Sequence, residues 1–277
     1  MSSTVSAEWL REHLRDPDVI AVDCRFILSN PLAGRQAYEA GHLPGAVYFD
    51  LELDLSAEVG LHGGRHPLPD PDLLAAKLGT AGIGENAIVV AYDDQGGAMA
   101  SRLWWLLTYY GHPRVYVLEG GYSGWSRSGF EITTDVPSRA GKTFVPKLRR
   151  DLLAETGDVE RSLEDRRTIL VDSREIRRYK GLEEPVDKTA GHIPGAVHYF
   201  WKDVFTSEGR LKTPELLKEH FRELEKSEQI IVYCGSGVTA CPNVLALAEA
   251  GFTNVRLYSG SWSDWISYPE NPVATLK

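Results

Sequence analysis

One cysteine in this chain lies where a nucleophile could be activated. The apolar run at residues 230–233 ends at Cys234, and the small residues Gly235, Ser236 and Gly237 follow before a helix-compatible stretch. This order of strand, cysteine, tight loop and helix predicts that loop amides and the positive end of a helix dipole point at the Cys234 sulfur. Such surroundings favour the thiolate, the reactive form of cysteine. Because the glycines let backbone close around the sulfur, Cys234 is predicted to be functional rather than a small core residue.

The composition excludes several classes of function. The chain has 277 residues, a net charge of −9 and no block of Lys and Arg, so neither nucleic acid nor an anionic membrane surface is an expected partner. No apolar run approaches the roughly 20 residues of a membrane helix, and the first residues lack a secretion-signal pattern. Three cysteines without zinc-like spacing fit a reducing cytoplasm and predict no metal. No dinucleotide fingerprint is present, so no cofactor is expected.

The sequence contains an internal duplication. Gly-His-Leu-Pro-Gly-Ala-Val at residues 41–47 recurs as Gly-His-Ile-Pro-Gly-Ala-Val at residues 191–197, and three further blocks recur in the same order. The repeat is much longer than the roughly 20 to 50 residues of solenoid units. It predicts two domains, residues 1–140 and 152–277, with a linker at residues 135–150.

Each copy alternates short β-branched runs with helix-like stretches, which predicts α/β domains. Each domain is expected to be a mostly parallel sheet with helices on both faces. In the second copy the predicted strands are residues 168–172, 196–200, 229–233 and 254–257, and the predicted helices are 213–226 and 238–250. Ligands of such sheets bind beyond the carboxyl ends of the strands. Cys234 occupies this place in the second copy and Asp93 in the first, so only the second copy is predicted to be catalytic.

In combination these motifs resemble the tandem-domain rhodanese-like sulfurtransferases. The Gly-His-Ile-Pro-Gly-Ala block, the strand-ending cysteine with its six-residue loop, and the duplication with an inactive first copy extend the resemblance over nearly the whole chain. The loop Cys-Gly-Ser-Gly-Val-Thr at residues 234–239 resembles that of the 3-mercaptopyruvate sulfurtransferases. The thiosulfate enzymes commonly have Arg and Lys where this chain has Gly235 and Ser236. The resemblance therefore implies 3-mercaptopyruvate as the sulfur donor, with thiosulfate as the alternative.

The charge of the donor gives this difference a physical meaning. Thiosulfate is a dianion, and a cation beside the nucleophile would screen its approach to a thiolate. 3-Mercaptopyruvate has a single carboxylate, which the guanidinium of Arg178, the match to the family's substrate-binding arginine, could hold bidentately. A second arginine that some relatives have after a Glu-Pro pair is missing after Glu184-Pro185. Lys188 is expected to substitute for it as a point charge.

The resemblance also implies a proton relay beside the nucleophile. In the 3-mercaptopyruvate enzymes the serine that corresponds to Ser236 works with a histidine from the first domain and a carboxylate. Such a group could pass a proton to the leaving enolate or polarise the keto group. His66 is the best match for the histidine. Asp50, Glu52 and Asp54 lie in the stretch of the carboxylate, and Glu52 aligns best.

The rest of the cysteine loop is expected to shape the substrate site. Gly235, Gly237, Val238 and Thr239 are assigned to substrate binding in this way. The Thr239 hydroxyl is expected to cap the following helix, with a hydrogen bond to the sulfur as the alternative.

Three other conspicuous residues are expected to be structural. His42 and His192 recur in both copies, including the copy without a nucleophile, which argues against a chemical role. Cys241 is expected to be a buried helix cysteine, with a resolving or redox-switch thiol as the alternative.

The implied reaction has two stages. Cys234 attacks the donor sulfur, pyruvate leaves, and the resulting persulfide passes its outer sulfur to a small thiol, a reduced thioredoxin-like protein or cyanide. One catalytic site between two domains needs no partner subunit, so a monomer is expected.

A cysteine phosphatase is disfavoured, because Ala240 stands where that class has its phosphate-binding arginine. A non-enzymatic persulfide carrier is disfavoured as well, because a carrier needs neither Arg178 nor Ser236.

Overall fold

The structure, a computed structural model, describes residues 2–165 and 167–276 and contains two compact units. Unit 1 comprises the chain up to Ala57, Pro69–Arg149 and Phe205–Leu211. Unit 2 comprises Glu58–Leu68, Arg150–Val204 and the chain from Lys212 onward. Two short segments therefore group with the unit that holds the other half of the sequence. The segment Glu58–Leu68 carries His66 into the unit that contains Cys234.

Unit 1 is built on a parallel sheet. Its strands are β1 (Thr4–Val5), β2 (Val19–Asp23), β3 (Val47–Tyr48), β4 (Ile88–Tyr92) and β5 (Val115–Leu118). Its helices are α1 (Ala7–His13), α2 (Ala33–Ala40), α3 (Pro71–Thr80), α4 (Ala98–Tyr109) and α5 (Gly121–Arg127). The strands lie in the order β1-β5-β4-β2-β3, and their ladders are parallel. The central strands β2 and β4 are apolar and almost entirely buried, as expected for parallel strands covered on both faces.

Unit 2 repeats this architecture. Its strands are β6 (Leu153–Ala154), β7 (Thr168–Asp172), β8 (Val197–His198), β9 (Gln229–Tyr233) and β10 (Val255–Tyr258). Its α-helices are α6 (Thr156–Ser162), α7 (Ile176–Tyr179), α8 (Pro214–His220), α9 (Cys241–Glu249) and α10 (Ser261–Trp265), and its 3-10 helices are Arg150–Leu152, Trp201–Val204 and Arg222–Leu224. The parallel order β6-β10-β9-β7-β8 matches that of unit 1 strand for strand. The predicted fold class and the duplication are confirmed.

An ion pair behind the repeated blocks is the same in both units. Arg25 Nη2 lies 2.5 Å from Asp23 Oδ2 and donates to the carbonyl of Gly41 at 2.7 Å. Arg174 makes the matching contacts, at 2.6 Å to Asp172 Oδ2 and 2.6 Å to the carbonyl of the first glycine in its own block. Each arginine thus ties the end of a central strand to the turn that carries the block.

The two repeated histidines are structural, as expected. His42 Nδ1 lies 2.7 Å from the carbonyl of Tyr38, and His192 Nδ1 lies 2.7 Å from the carbonyl of Tyr179. Both side chains are buried and stacked on the ring of that same tyrosine. Burial lowers the pKa of His192.

Two predicted helices differ from those observed. The segment predicted as residues 213–226 begins as expected, with Thr213 Oγ1 accepting the Leu216 N–H and Pro214 in the first turn. It breaks at Phe221 into α8 and the 3-10 helix Arg222–Leu224, because the buried Phe221 has left helical geometry at φ −99° and ψ 11°. The second, predicted to start at residue 238, starts at Cys241, because residues 238–240 belong to the cysteine loop.

Candidate active site

Cys234 lies directly after the central strand β9, where its backbone is held by the turn that begins α10. The Cys234 N–H donates to Ser261 Oγ at 3.1 Å, and its carbonyl accepts the Trp262 N–H at 3.0 Å. The cysteine side chain is free and only 1% of the residue is exposed. Ser261 is the one non-glycine residue with a positive φ in the described chain, at 56°. Such a conformation costs free energy and is typical of functional sites.

The loop after Cys234 has backbone donors without acceptors. Within the described residues, the N–H groups of Gly235, Ser236, Val238, Thr239 and Ala240 make no hydrogen bond, and none bonds to the Cys234 sulfur. The loop is nevertheless buried apart from Thr239, which is half-buried. Buried amides are almost always paired, so this group of N–H donors is suited to an anion. The loop therefore contains donors without acceptors among the described residues, but these five amides do not form the predicted hydrogen bonds to the Cys234 sulfur.

Ser236 and His66 form a hydrogen-bonded pair. Ser236 Oγ lies 2.7 Å from His66 Nδ1, and both residues are buried, at 7% and 3% exposure. His66 belongs to the segment 58–68, which is anchored by two bonds: Gly63 N–H to Asp264 Oδ1 at 2.6 Å, and Arg65 N–H to Ser263 Oγ at 3.1 Å. The histidine and serine predicted from the sequence are therefore in contact two residues from the cysteine.

Arg178 lies beside the same loop and is held by two carboxylates. Its Nη2 is 2.6 Å from Glu184 Oε1 and 3.0 Å from Asp187 Oδ2, and its Nε donates to Glu184 Oε2 at 3.0 Å. Both acidic side chains are almost fully buried. A Cβ atom placed on Gly235 would lie 3.5 Å from Arg178 Nη2 and 3.6 Å from Nη1. The guanidinium is thus oriented and lies next to the residue that follows Cys234.

Sequence reasoning missed a second guanidinium at this place. A Cβ on Gly235 would lie 2.9 Å from Arg65 Nη2, and Arg65 Nε donates to Asp187 Oδ1 at 2.9 Å. Arg65 precedes His66 in the segment 58–68, so the motif around that histidine was the available signal. Arg65 lies beside Gly235 because the segment 58–68 groups with unit 2, and the local sequence does not indicate this grouping.

Two other predicted site residues, Lys188 and Glu52, have exposed side chains. Lys188 is exposed, and its ammonium group makes no hydrogen bond or ion pair within residues 2–165 and 167–276. Glu52 is exposed and belongs to unit 1, where its N–H donates to Asp50 Oδ1 at 2.8 Å. The other acids of that stretch are engaged locally, since Asp50 also accepts the Tyr48 hydroxyl and Asp54 pairs with Lys77.

At the end of the loop, the predicted helix cap is wrong and the predicted buried helix cysteine is confirmed. Thr239 does not cap α9: the N-cap position is Ala240, and no side-chain cap bond is formed there. The Thr239 hydroxyl makes no hydrogen bond within the described residues and stays available to the site. Cys241 is a fully buried helix cysteine whose Sγ donates to the Gly237 carbonyl at 3.3 Å.

Within residues 2–165 and 167–276, no group of three or more His, Cys, Asp and Glu side chains could hold a metal ion. None of the helices in these residues is both long enough and apolar enough to cross a membrane.

The chain thus contains two duplicated α/β units, and in the second a buried cysteine follows the central strand. A family model described as a rhodanese-like domain matches residues 6–128 and 155–268, one match for each copy of the duplication. The chain belongs to the rhodanese-like family.

Relatives with sulfurtransferase names cover almost the whole chain. A probable 3-mercaptopyruvate sulfurtransferase of Pseudomonas aeruginosa is 43% identical over 98% of this chain and 97% of its own. A putative thiosulfate sulfurtransferase of Mycobacterium tuberculosis is 39% identical over 93% of this chain and 91% of its own. The crystal structure of a 3-mercaptopyruvate sulfurtransferase from Escherichia coli has a TM-score of 0.83 and 32% identity, covering 95% of this chain and all of that one. The predicted family and the predicted enzyme class, a sulfurtransferase, are confirmed.

Proposed function

We propose that this enzyme transfers the sulfur of 3-mercaptopyruvate to a thiol or cyanide acceptor through a persulfide on Cys234. The observation that carries the proposal is the buried loop after Cys234, in which the N–H groups of Gly235, Ser236, Val238, Thr239 and Ala240 have no acceptor among the described residues. An anionic sulfur gains more from such donors than a neutral thiol does. The N-terminal copy, proposed as residues 1–140 with Asp93 at the equivalent place, has no thiol there and is non-catalytic; the catalytic copy is proposed as residues 152–277.

The first stage forms the persulfide. The Cys234 thiolate attacks the donor sulfur and forms the S–S bond, while the C–S bond of 3-mercaptopyruvate breaks and its electron pair passes to the pyruvate enolate. Arg178 binds the donor carboxylate in this step, with the loop residues Gly235, Gly237, Val238 and Thr239 around the reacting sulfur. The amides stabilise the charge on the sulfur that stays with the enzyme.

The hydrogen-bonded pair of Ser236 and His66 supplies the proton that the enolate needs to become pyruvate. The pair lies 2.7 Å apart and is buried, so bulk water is not the nearest proton source. A carboxylate partner for His66, with Glu52 as the sequence match, remains part of this proposal.

In the second stage an acceptor thiolate or cyanide attacks the outer sulfur, and Cys234 leaves as a thiolate. Small thiols and thioredoxin-like proteins fit this step because both present an accessible thiolate. The three free, buried cysteines agree with a reducing cytoplasm as the place of action. A monomer is the simplest assembly, because unit 2 itself holds Cys234, Ser236, His66 and Arg178.

A thiosulfate sulfurtransferase is the second candidate function. Residues 235 and 236 are uncharged, but the guanidiniums of Arg65 and Arg178 lie beside Gly235 and supply the positive charge that a dianionic donor would need. The relative from M. tuberculosis bears the name of that activity.

Intact-protein mass spectrometry and donor kinetics test the proposal together. Incubation with 3-mercaptopyruvate should add one sulfur, about 32 Da, to the wild type and release one pyruvate per sulfur, whereas C234S should do neither. A higher kcat/KM for thiosulfate than for 3-mercaptopyruvate would overturn the donor assignment. S236K should raise the relative use of thiosulfate by adding a cation at the nucleophile, and an unchanged donor ratio would refute the charge argument.

A further inference from the structure

The donor carboxylate has only one expected guanidinium, Arg178, and its predicted second cation, Lys188, is not held in position by any observed ion pair within the described residues. The sequence assigns this role to Lys188 because no arginine follows Glu184-Pro185. Lys188 is exposed and its ammonium makes no ion pair within the described residues. A cation that is already positioned beside the cysteine loop is a better candidate for binding the carboxylate from a second side, and Arg65 is such a cation.

Arg65 meets Arg178 at the residue that follows the nucleophile. Asp187 joins the two side chains: Arg65 donates from Nε to Oδ1 at 2.9 Å and from Nη2 to Oδ2 at 3.3 Å, and Arg178 Nη2 donates to Oδ2 at 3.0 Å. The Asp187 side chain is only 4% exposed. Both guanidiniums lie within 3.6 Å of the place where a Gly235 side chain would start. Glycine at this position is what allows them to approach the loop.

Each guanidinium keeps donors for a ligand. Arg178 is bound through Nε and Nη2, and Arg65 through Nε and Nη2, while Nη1 of either residue makes no hydrogen bond in the described part of the chain. Their side chains are 18% and 27% exposed, so the free ends are neither sealed in the core nor fully solvated. Partly desolvated guanidinium groups with free N–H donors are suited to carboxylates.

The backbone of Arg65 is fixed before any donor binds. Its N–H donates to Ser263 Oγ at 3.1 Å, and the next residue, His66, contacts Ser236. Gly64, at φ 79°, lies so close to the Gly260 carbonyl that a side chain there would collide with it. A preorganised cation loses little conformational entropy when it binds a ligand.

We propose that Arg65 is the second guanidinium of the donor site and that it binds the carboxylate of a 2-oxo acid donor together with Arg178. Asp187 positions the pair and takes no part in the chemistry. The inference rests on the proposed function, since it names the residue that recognises that donor. It assigns donor recognition partly to the segment 58–68, so one segment supplies both the carboxylate ligand Arg65 and the proton-relay residue His66.

The test compares R65Q with R177Q and K188Q in steady-state kinetics with 3-mercaptopyruvate. Arg177 is the matched control, because it is an exposed arginine beside Arg178 that pairs only with Glu183 among the described residues. R65Q should raise KM about 10- to 100-fold, the range for losing hydrogen bonds to a charged group, and should change kcat less. R177Q should leave both parameters unchanged. The KM of R65K should fall between those of R65Q and the wild type, because lysine keeps the charge but loses the paired N–H donors of the guanidinium.

A second measurement guards against misfolding and separates the two proposals. Each variant is given saturating donor, and the sulfur added to Cys234 is measured by intact mass; full loading shows that the site is assembled. The Ki of pyruvate, a 2-oxo carboxylate that transfers no sulfur, should rise in R65Q as KM does. An unchanged KM and pyruvate Ki in R65Q, or a rise only in K188Q, overturns the role of Arg65. Failure of the wild type to release pyruvate overturns the proposed function instead.

Discussion

Two loops in equivalent positions, one after β4 and one after β9, differ in what their backbone amides bind. In unit 1 the carboxylate of Asp93 accepts four N–H groups: those of Gln95 and Gly97 at 2.9 Å, of Met99 at 2.8 Å and of Ala100 at 2.9 Å. Burial raises the pKa of Asp93, and these four hydrogen bonds oppose that rise. The chain thus supplies its own anion to this loop.

In unit 2 Cys234 stands at the position of Asp93, so the equivalent loop has no carboxylate there. The amides of Ser236, Val238 and Ala240, which correspond to three of the four donors around Asp93, bond no acceptor in the described residues. The strand ends are otherwise alike, since the Asp93 carbonyl accepts the Tyr122 N–H at 2.9 Å just as the Cys234 carbonyl accepts that of Trp262 at 3.0 Å. In unit 1 the duplicated element is therefore an anion-binding loop. We infer that a sulfur anion fills in unit 2 the place that a carboxylate fills in unit 1.

The largest expected effect comes from making unit 2 resemble unit 1. C234D should be folded and should lose at least about 10⁴-fold in kcat, because the nucleophile is gone. C234S should be equally inactive. The new carboxylate can accept the free amides and the serine hydroxyl cannot do so as well, so C234D should melt at a higher temperature than C234S. Calorimetry checks this order, and a C234D that melts below C234S would show that the loop is not an anion site.

The next effect separates proton transfer from sulfur binding. Unit 1 has Gln95 where unit 2 has Ser236, and His66 groups with unit 2, so the hydrogen-bonded pair is a feature of unit 2. H66Q and S236A should each lower kcat with 3-mercaptopyruvate about 10²- to 10³-fold. Thiosulfate should be affected much less, because sulfite leaves without needing a proton. Stopped-flow measurement of persulfide formation with both donors tests this, and an equal loss with both donors would contradict the relay.

Removing the anion from the loop of unit 1, by the substitution D93N, should affect stability alone. D93N keeps the shape of the side chain but removes its charge and turns an NH₂ group towards two of the four amides. It should cost about 2 to 4 kcal/mol of unfolding free energy, the range for buried donors that lose a charged acceptor. D94N is the control, since among the described residues Asp94 accepts only the Ser123 N–H, at 3.1 Å, and that contact is exposed. Denaturant unfolding gives the free energies, and a loss of Cys234 activity in folded D93N would argue against a purely structural loop.

Sequence alone was sufficient where local pattern determines structure. The strands Thr168–Asp172 and Gln229–Tyr233 have the predicted bounds, because each is a short β-branched run buried in a parallel sheet. The place of Cys234 after such a strand follows from the same pattern. The pairing of His66 with Ser236 needed the family resemblance, because 170 residues separate the two in the chain.

Features that depend on tertiary grouping escaped prediction. Arg65 reads locally as a loop arginine, and only the packing of residues 58–68 in unit 2 gives it a place beside Gly235. Lys188 is predicted only from its place after Glu184-Pro185, where relatives have an arginine, and this position along the chain does not indicate where the side chain lies. The start of α9 at Cys241 was missed because small residues suit a helix as well as an anion-binding loop.

The smallest expected effect concerns the turns that hold the two strand ends. Gly121 in unit 1 and Ser261 in unit 2 have almost the same backbone, with φ of 55° and 56°. A side chain at Gly121 would collide with the Asp93 carbonyl, so glycine is required there. Ser261 tolerates its Cβ and accepts the Cys234 N–H, while its hydroxyl donates to the Tyr258 carbonyl at 2.9 Å. The positive φ of Ser261 costs free energy, and in this conformation its hydroxyl accepts the Cys234 N–H.

Two substitutions at Ser261 separate the cost of its positive φ from the contribution of its hydroxyl hydrogen bonds. S261A keeps the positive φ and loses both hydroxyl bonds, whereas S261G loses the bonds but relieves the strain, so S261G should be about 1 kcal/mol more stable than S261A. Both should lower kcat/KM by about three- to tenfold, the value of one hydrogen bond that positions Cys234. Thermal unfolding and donor kinetics on the same samples measure the two effects. Should S261G keep full activity, the Ser261 hydroxyl does not position the nucleophile, and unit 2 differs from unit 1 only in the anion that its loop receives.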